Sequence, residues 1–310
     1  MSATRAIILA AAENQWLKER AGRYAFVRKS VSRFMPGETL DDAIAAAHAL
    51  SKLSVGTVFT HLGENIADAA EAKKVVEHYE GVLKRIRTEN LETEISVKLT
   101  HLGLDVSEEL CERNLRRLLE QGRSEQRTLW IDMESSIYVD RTIRIYQRIL
   151  ADYANTGICL QAYLTRTETD LNQLLPNRPT IRLVKGAYRE SSNIAAQKRT
   201  EIHHNYLKLA RRFFREHRRG TLRRFIFATH DAPLIEKITQ SAEGEGLNRS
   251  EVEVQMLYGI QSTLQQQLAR DGWRSSVLVA YGTHWYAWFL RRLAERPANL
   301  WLLLRNLSTR

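Results

Sequence analysis

The chain has 310 residues, of which 44% are hydrophobic and 26% charged, a balance typical of a globular protein with a large core. Its net charge of +10 favours anionic ligands or partners, and two cysteines, Cys111 and Cys159, are too few for a disulfide framework. No apolar run in the sequence approaches the length of a transmembrane helix. We therefore expect a cytoplasmic, soluble protein in a reducing compartment.

The first fifty residues are predicted to be helical. Apolar and polar residues are mixed over 7–24, and Thr39 is a suitable N-cap for an alanine-rich helix at 43–53. This pattern predicts an N-terminal helical extension over residues 1–54, followed by a second domain over residues 55–310.

From residue 55 onward, short β-rich runs alternate with long helical patterns. Eight strands are predicted, at 56–60, 95–99, 128–132, 157–161, 180–184, 225–228, 252–255 and 276–280. The main helices are predicted at 67–88, 107–121, 136–153, 193–217, 233–244 and 260–271. Eight parallel βα units favour an α/β fold of the (β/α)8 barrel type. A doubly wound open sheet is the alternative, but no Gly-x-Gly-x-x-Gly turn follows the first strand.

Polar residues cluster at the predicted C-terminal ends of the strands, where a barrel builds its site. A plain salt bridge between Lys98 and Asp132 is as good an interpretation as direct chemistry. His230 and Asp231 lack the further ligands of a metal site, so no metal is predicted. The full set is Lys98, Asp132, Glu134, Gln161, Arg182, Lys185, Thr229, His230, Asp231 and Gln255.

Three residues at or just after predicted strand ends are suited to contact a planar ligand: Gln161, Gly186 and Ala187. Gln161 is suited to holding a heteroaromatic edge. Gly186 and Ala187 leave room for backbone N–H groups to approach a ring or a phosphate, although a plain βα turn explains them as well. In contrast, His203 and His204 fall within a predicted helix and are assigned to its surface or to a helix–helix contact.

A last helix carries four residues on one face, because Trp288, Arg291, Arg292 and Glu295 are spaced i, i+3, i+4 and i+7. Apolar residues flank this stripe before and after it, so we expect it to lie against the protein body. Buried guanidinium groups need an anionic partner such as a carboxylate or a phosphate. A solvated pair with Glu295 on an ordinary amphipathic helix is the alternative.

The candidate site is therefore rich in cations, which suits an anionic substrate together with a cofactor such as reduced flavin. Acyl transfer is disfavoured because the sequence has no Gly-x-Ser-x-Gly elbow. A barrel lyase that forms a Schiff base at Lys98 or Lys185 stays open. So does a non-catalytic protein that binds anions through the basic stretch 211–224, although no nucleic-acid-binding motif accompanies that stretch.

Seven motifs, in order, resemble those of the proline dehydrogenase family. Each falls at a predicted strand end or on the last helix, and the likeness runs from about residue 33 to the C-terminus. The motifs are SVKL at 96–99, DME at 132–134, QAY at 161–163, RLVKGAY at 182–188, ATHD at 228–231, EVQMLYG at 253–259 and RRLAE at 291–295.

This resemblance implies a monofunctional, FAD-dependent barrel that oxidises L-proline to Δ1-pyrroline-5-carboxylate and passes the electrons to a membrane quinone. It implies a catalytic pair, Asp132 and Arg182. The implied substrate-binding residues are Lys98, Leu257, Trp288, Arg291 and Arg292. The implied FAD-binding residues are Met133, Gln161, Arg182, Lys185, Gly186, Ala187, Thr229, His230 and Glu295.

Two departures from the family pattern affect the substrate more than the cofactor. Leu278 and Ala280 stand in a stretch where the family usually has Tyr-Val-Pro-Tyr-Gly, and Trp288 replaces a tyrosine. The same chemistry on hydroxyproline or another cyclic amino acid is therefore an alternative. The aromatic last helix is expected to allow a peripheral contact with the inner face of the membrane.

Overall fold

A closed barrel of eight parallel strands forms the centre of the protein in a computed structural model that describes residues 31–123 and 127–295, without the side chains of 293–295. The strands neighbour each other in chain order, and β8 closes the barrel by pairing with β1 from Gly56↔Ser276 to His61↔Tyr281. The predicted (β/α)8 barrel is confirmed. The strands are β1 (Gly56–His61), β2 (Thr93–Val97), β3 (Leu129–Ile131), β4 (Thr156–Gln161), β5 (Thr180–Val184), β6 (Arg224–Ala228), β7 (Glu253–Leu257) and β8 (Arg274–Tyr281).

Helices surround the barrel, and their amphipathic faces pack onto it. In α2, for example, the side chains of Val76, Tyr79 and Leu83 recur at helical spacing and are all buried. The α-helices of the described residues are α1 (Leu40–Ser51), α2 (Ala69–Thr88), α3 (Glu108–Arg123), α4 (Ser136–Leu150), α5 (Thr167–Leu174), α6 (Arg199–Arg218), α7 (Ala232–Gly244), α8 (Ser262–Arg270) and α9 (Trp285–Glu295).

Several predicted boundaries differ by one to six residues from those of the structure, and two of these differences concern the site. β2 ends at Val97 because the chain turns into a 3₁₀ helix, in which the carbonyl of Lys98 accepts hydrogen bonds from His101 and Leu102. Lys98 therefore follows the strand. α6 begins at Arg199 and not at residue 193, so the preceding residues form a loop at the C-terminal ends of the strands.

The N-cap prediction at Thr39 is confirmed. Its hydroxyl accepts a hydrogen bond from the Asp42 backbone N–H, and the Asp42 carboxylate accepts one from the Thr39 N–H, which makes a capping box. The predicted helix at 7–24 and the apolar stretch at 300–304 lie outside the described residues.

Inside the barrel, a small apolar cluster separates two polar layers. This interior plug consists of Val58, Trp130 and Ile226, with Leu278 packed against it. Toward the N-terminal ends of the strands, Arg224 forms ion pairs with Glu94 and Glu253. Toward the C-terminal ends, the interior becomes polar again, and the candidate site begins there.

A separate apolar cluster, which we call the arm cluster, fixes α9. It joins the segment before α1 to the face of α9, and the indole N–H of Trp285 donates to Glu38 at 2.9 Å. Gly259 has φ +71°, and a Cβ there would lie 1.7 Å from the Arg33 carbonyl oxygen, so only glycine lets the segment pass. The cluster contains Val31, Met35, Leu62, Ala280, Trp285, Tyr286, Trp288 and Phe289.

The arm cluster buries the aromatic residues that were expected to contact a membrane. The aromatic side chains of α9 are buried, with Trp285 at 7% and Phe289 at 3% exposure, so they do not offer a membrane-contact surface. Within 31–123 and 127–295, no helix combines the length and apolar character needed to cross a bilayer.

Candidate active site

A cavity of about 540 Å³ opens at the C-terminal ends of the strands. Its volume lies in the range of cofactor and substrate pockets. The structure brings fourteen of the fifteen site residues implied by the family resemblance into its lining, whereas the side chain of Glu295 lies outside the described part of the chain. The fourteen are Lys98, Asp132, Met133, Gln161, Arg182, Lys185, Gly186, Ala187, Thr229, His230, Leu257, Trp288, Arg291 and Arg292. Of the other strand-end candidates, Asp231 and Gln255 also line the cavity, and Glu134 does not.

One side of the cavity is a polar floor formed by Ser96, Lys98, Asp132 and Arg182. The Asp132 carboxylate accepts a hydrogen bond from Lys98 Nζ at 2.9 Å on Oδ2. Its Oδ1 accepts from Ser96 Oγ at 2.8 Å and from the Arg182 guanidinium. Lys98 and Asp132 thus form the salt bridge considered from the sequence, and both also line the cavity.

Charge pairing keeps the floor ionised. Burial alone would raise the pKa of Asp132, but Lys98 and Arg182 outweigh it and lower that pKa to about 2. Burial disfavours the charged form of Lys98, yet Asp132 and neighbouring groups raise its pKa above the usual value. At neutral pH Lys98 is therefore a cation held by a carboxylate. Schiff-base chemistry at this lysine is disfavoured, because it needs a neutral amine.

The Arg182 guanidinium is almost completely buried, with 2% of the residue exposed. Its Nε donates to Cys159 Sγ at 2.9 Å, and Nη1 donates to Gln255 Oε1 at 2.9 Å. Nη2 donates to Ser96 Oγ at 2.7 Å and to Asp132. All these bonds lie at the edge of the guanidinium plane, which fixes its orientation toward the strands that carry its partners.

A second carboxylate, Asp231, holds three basic groups at the opposite side of the strand ends. Lys185 Nζ lies 2.7 Å, Arg199 Nη2 2.6 Å and His203 Nε2 3.1 Å from Asp231 Oδ2. Burial alone would raise the pKa of Asp231, but the hydrogen bond and charge of Lys185 lower it below the usual range. Lys185 is therefore also ion-paired, which weakens the Schiff-base alternative.

His203 corrects a sequence prediction. It was assigned to a helix surface or a helix–helix contact, but it lines the cavity and its Nε2 lies 2.9 Å from Lys185 Nζ. The prediction failed because it started the helix too early and placed His203 in the helix middle. Since α6 begins at Arg199, His203 lies in its first turns, beside the strand ends.

Gln161 offers an unused acceptor at the cavity. Its side-chain amide donates to the backbone carbonyls of Met133 at 3.4 Å and Glu134 at 3.2 Å. The buried Oε1 has no hydrogen-bond partner among the residues that the structure describes. A buried, unsatisfied acceptor is costly unless a ligand donates to it. This observation fits the predicted contact of Gln161 with a heteroaromatic edge.

The turn at Gly186 has its own structural cause. Its φ is +112°, and a Cβ would lie 2.2 Å from the Tyr163 ring, so both conformation and packing require glycine. The plain-turn interpretation therefore accounts for this residue, which also lines the cavity.

The arm, which we define as Trp288, Arg291 and Arg292 on α9, borders the cavity from the other side. Arg291 makes a bidentate pair with Glu64, at 2.8 Å from Nη1 and 3.1 Å from Nη2. Burial opposes the charge of Arg291, but Glu64 raises its pKa. The Arg291 guanidinium lies 5.5 Å from the centre of the Tyr188 ring, and that of Arg292 lies 5.9 Å from the Trp288 ring.

Glu64 and Tyr188 are the residues of the arm region that the sequence analysis missed. Glu64 is a polar residue three positions after β1, so the rule applied to the other strand ends also covered it. Tyr188 lines the cavity and closes the motif at 182–188, but no role was assigned to it. The expected anionic partner of the arginine pair is thus supplied in part by the protein itself.

A group of histidine rings lies beside β1, outside the cavity lining. His61 is 4.2 Å from His78 and 5.6 Å from His101 between ring centres. Burial and the neighbouring histidines lower the pKa of His61 to about 4 and that of His101 to about 3. Over the described ranges, no group of three or more His, Cys, Asp or Glu has an arrangement that could hold a metal ion.

Four arginines of the basic stretch 211–224 are ion-paired with the protein's own carboxylates. Arg212 and Arg219 pair with Glu216, and Arg218 pairs with Glu245. Arg224 points into the barrel toward Glu94 and Glu253. These pairs weaken the alternative of a non-catalytic anion-binding protein that uses this stretch.

The closed barrel defines a (β/α)8-barrel protein with a cavity at the C-terminal ends of its strands that is lined by several cationic side chains. A family model described as proline dehydrogenase matches residues 43–301. The chain therefore belongs to the proline dehydrogenase family, a family of oxidoreductases.

Known proline dehydrogenases align with this chain over most of its length. Proline dehydrogenase 1 of Bacillus subtilis subsp. natto is 33% identical over 305 residues, covering 98% of each chain. Proline dehydrogenase of Deinococcus radiodurans is 32% identical over 272 residues, covering 86% of each. The fold matches the crystal structure of proline utilization A from Bdellovibrio bacteriovorus with a TM-score of 0.81 at 20% identity, over 98% of this chain and 38% of that longer one.

Proposed function

We propose that this protein is an FAD-dependent dehydrogenase that oxidises L-proline to Δ1-pyrroline-5-carboxylate and passes the electrons to a quinone. The observation that carries the proposal is that the arginines of the arm and the polar floor border one cavity. Family membership supplies the substrate class, and the charges of the cavity supply a reason for it.

The cations are suited to the carboxylate of the substrate. Arg291 and Arg292 present donors from α9, and Lys98 presents its ammonium group from the end of β2. Arginine donors match a carboxylate in a bidentate way, so they fix the direction of the ring as well as its position. The arginine already bound by Glu64 can share its donors with a second carboxylate.

The ring of the substrate would meet an apolar wall. Leu257 and Leu278 line the cavity and have no hydrogen-bonding side chain, and Trp288 adds an indole face. A hydroxyl group on the ring would lose its water here without gaining a partner from either leucine. This favours proline over hydroxyproline as the substrate.

The residues fit FAD as the cofactor. Bound FAD supplies the two-electron acceptor of the reaction. The free Oε1 of Gln161 is available to a donor on the flavin ring, and Met133, Lys185, Thr229 and His230 line the same cavity. Arg182 and Lys185 supply positive charge beside a cofactor that becomes more electron-rich on reduction.

The oxidation removes one hydrogen with its electron pair from ring carbon C5 and one proton from the ring nitrogen. Asp132 is not suited to take up that proton, because its pKa of about 2 keeps it a weak base between two cations. Its proposed task is to hold Lys98 and Arg182 in place. The rate then depends on the orientation of the ring relative to the cofactor.

A quinone acceptor and a cytoplasmic location with a peripheral contact at the inner face of the membrane complete the proposal. They follow from the family resemblance. The contact surface must be other than the aromatic side chains of α9, because those are buried.

Absorption spectroscopy of the purified protein tests the proposal. We expect a yellow protein with bound FAD that L-proline bleaches in the absence of oxygen, whereas trans-4-hydroxy-L-proline bleaches it more slowly. A colourless protein that takes up no FAD would overturn the cofactor. Trapping of a covalent adduct by borohydride with a carbonyl substrate would support a Schiff-base lyase instead.

A further inference from the structure

An indole ring lies under the buried arginine of the polar floor. Trp130 on β3 is fully buried in the interior plug of the barrel. The guanidinium carbon of Arg182 lies 5.1 Å from the centre of this ring, and that of Arg224 lies 5.5 Å from it. Trp130 therefore connects the polar layer at the cavity with the ion pairs near the N-terminal ends of the strands.

The Trp130 ring restricts movement of the Arg182 guanidinium in a direction that its hydrogen bonds restrain only weakly. The four acceptors of Arg182 lie at the edge of the guanidinium plane and fix its orientation within that plane. They resist movement across the plane much less. The Trp130 ring, whose centre lies 5.1 Å from the guanidinium carbon, occupies the space on the interior side of Arg182 and attracts the cation electrostatically.

Trp130 itself has little freedom to move. Its indole N–H donates to Glu94 Oε2 at 2.7 Å, and Glu94 is held in turn by Arg224. On the neighbouring strand, Gly157 is paired with Trp130, and a Cβ at 157 would lie 2.5 Å from the ring. The backbone of Gly157 does not have a positive φ, so the glycine serves to make room for the indole.

We propose that Trp130 is a positioning residue that sets the height of the Arg182 guanidinium beneath the cavity. Gly157 provides the space for the ring, and Glu94 fixes its rotation. The proposal rests on the proposed function, because it assumes that the placement of Arg182 controls the reaction.

The variant Gly157→Ala tests the positioning role without substituting Trp130 or any residue that lines the cavity. The new methyl group pushes the indole, and the indole displaces Arg182. In the FAD-loaded protein we expect the limiting rate of flavin reduction by L-proline to fall about tenfold, since small misplacements of such groups are costly. The proline concentration for half the limiting rate should change less than about threefold, because the arm is untouched.

A smaller ring should rescue the variant. Phe in place of Trp130 keeps an aromatic face and frees space, so Gly157→Ala combined with Trp130→Phe should reduce as fast as Trp130→Phe alone. Gly122→Ala is the matched control, because Gly122 is also buried and a Cβ there meets no atom closer than 3.8 Å. It should leave the limiting rate unchanged.

The outcomes separate the two claims. If L-proline reduces the wild type and Gly157→Ala reduces equally fast, or if Trp130→Phe fails to rescue it, the positioning role is wrong. If L-proline does not reduce the wild type, the proposed function fails. The visible spectrum of bound FAD then tests the positioning alone, since Gly157→Ala should shift it and the double variant should restore it. An unshifted spectrum would contradict the proposal.

Discussion

The polar floor and the arm border the same cavity but are held in different ways. Asp132 and Arg182 lie on or directly after strands, and each has several hydrogen-bond partners inside the barrel. Arg291 lies on a helix outside the barrel and is held by one carboxylate, Glu64, and by the arm cluster. A network with many partners resists displacement, whereas a single ion pair can exchange one carboxylate for another.

This difference assigns a separate task to each region. We expect Asp132 and Arg182 of the floor to act mainly on the rate of the chemical step, because they set the place of buried charges, whereas Lys98 also contributes to binding of the substrate carboxylate. We expect the arm to control affinity, because it offers cations to a carboxylate that arrives and leaves. Substitutions in each of the two regions separate these tasks, or show that the separation is wrong.

The largest effect is expected for Asp132→Asn. The amide keeps the shape of the carboxylate but leaves the buried charges of Lys98 and Arg182 without their anion. Removing one partner from a buried ion pair costs about 3 to 5 kcal/mol of unfolding free energy. Urea unfolding should show this loss, and flavin reduction should slow at saturating proline. The matched control is Asp140→Asn, since Asp140 pairs with Arg166 at the surface. Equal losses in both variants would contradict the role of the floor.

Arg291→Ala should act on affinity. A lost charge-assisted hydrogen bond costs about 1.5 to 3 kcal/mol, which raises the half-saturating proline concentration by about 10- to 150-fold. The limiting rate of flavin reduction should change much less. Arg292→Ala should act in the same direction. Arg211→Ala provides an exposed arginine on α6 as control. A normal half-saturating concentration in both arm variants would remove the binding role of the arm.

Glu134→Gln should change the pH dependence of stability near the floor. Burial raises the pKa of Glu134 to about 7, and the hydrogen bond from Thr100 opposes this only in part. A raised carboxyl pKa in the folded state means that stability is lost as pH rises from 4.5 through 7. Between pH 5 and 7 the wild type should lose about 2 kcal/mol from this group. The variant should lack that loss when urea unfolding is measured at pH 5 and pH 7. An equal change in unfolding free energy in the wild type and the variant would contradict the prediction.

His101→Phe should change the pH dependence of stability on the acid side, in the turn that follows Lys98. Burial lowers the pKa of His101 to about 3, so the folded protein keeps this ring neutral. The stability that this provides is complete above pH 6.5, the usual histidine pKa, and is lost as pH falls toward 3. The wild type should lose about 1 kcal/mol from this group between pH 7 and 5.5. Thermal melts at these pH values should show a smaller loss in the variant, and an unchanged loss would place the acid sensitivity elsewhere.

Much of the barrel was predictable because parallel strands leave a strong local signal. The apolar run of each strand ends in polar residues. Because the strands are parallel, these polar residues meet at one end of the barrel. Lys98, Asp132 and Arg182 were therefore found from their positions alone. The family motifs then added residues such as Met133 and Leu257, which carry no local signal of their own.

What the sequence did not reveal depends on contacts between distant segments. The pairing of Glu64 with Arg291 joins residues 227 positions apart. The burial of α9 against the segment that contains Met35 is another such contact, and it removes the aromatic side chains of α9 from the surface. Trp130 looked like one more apolar strand residue, because its place between two arginines exists only after the barrel closes.

Anaerobic stopped-flow titration of the FAD-loaded protein with L-proline tests the division between floor and arm most directly. The wild type should bleach fully, Arg291→Ala should raise the half-saturating concentration, and Asp132→Asn should lower the limiting rate. A flavin that stays oxidised at every proline concentration, an Arg291→Ala variant that lowers only the limiting rate, or an Asp132→Asn variant with a normal limiting rate would contradict the account.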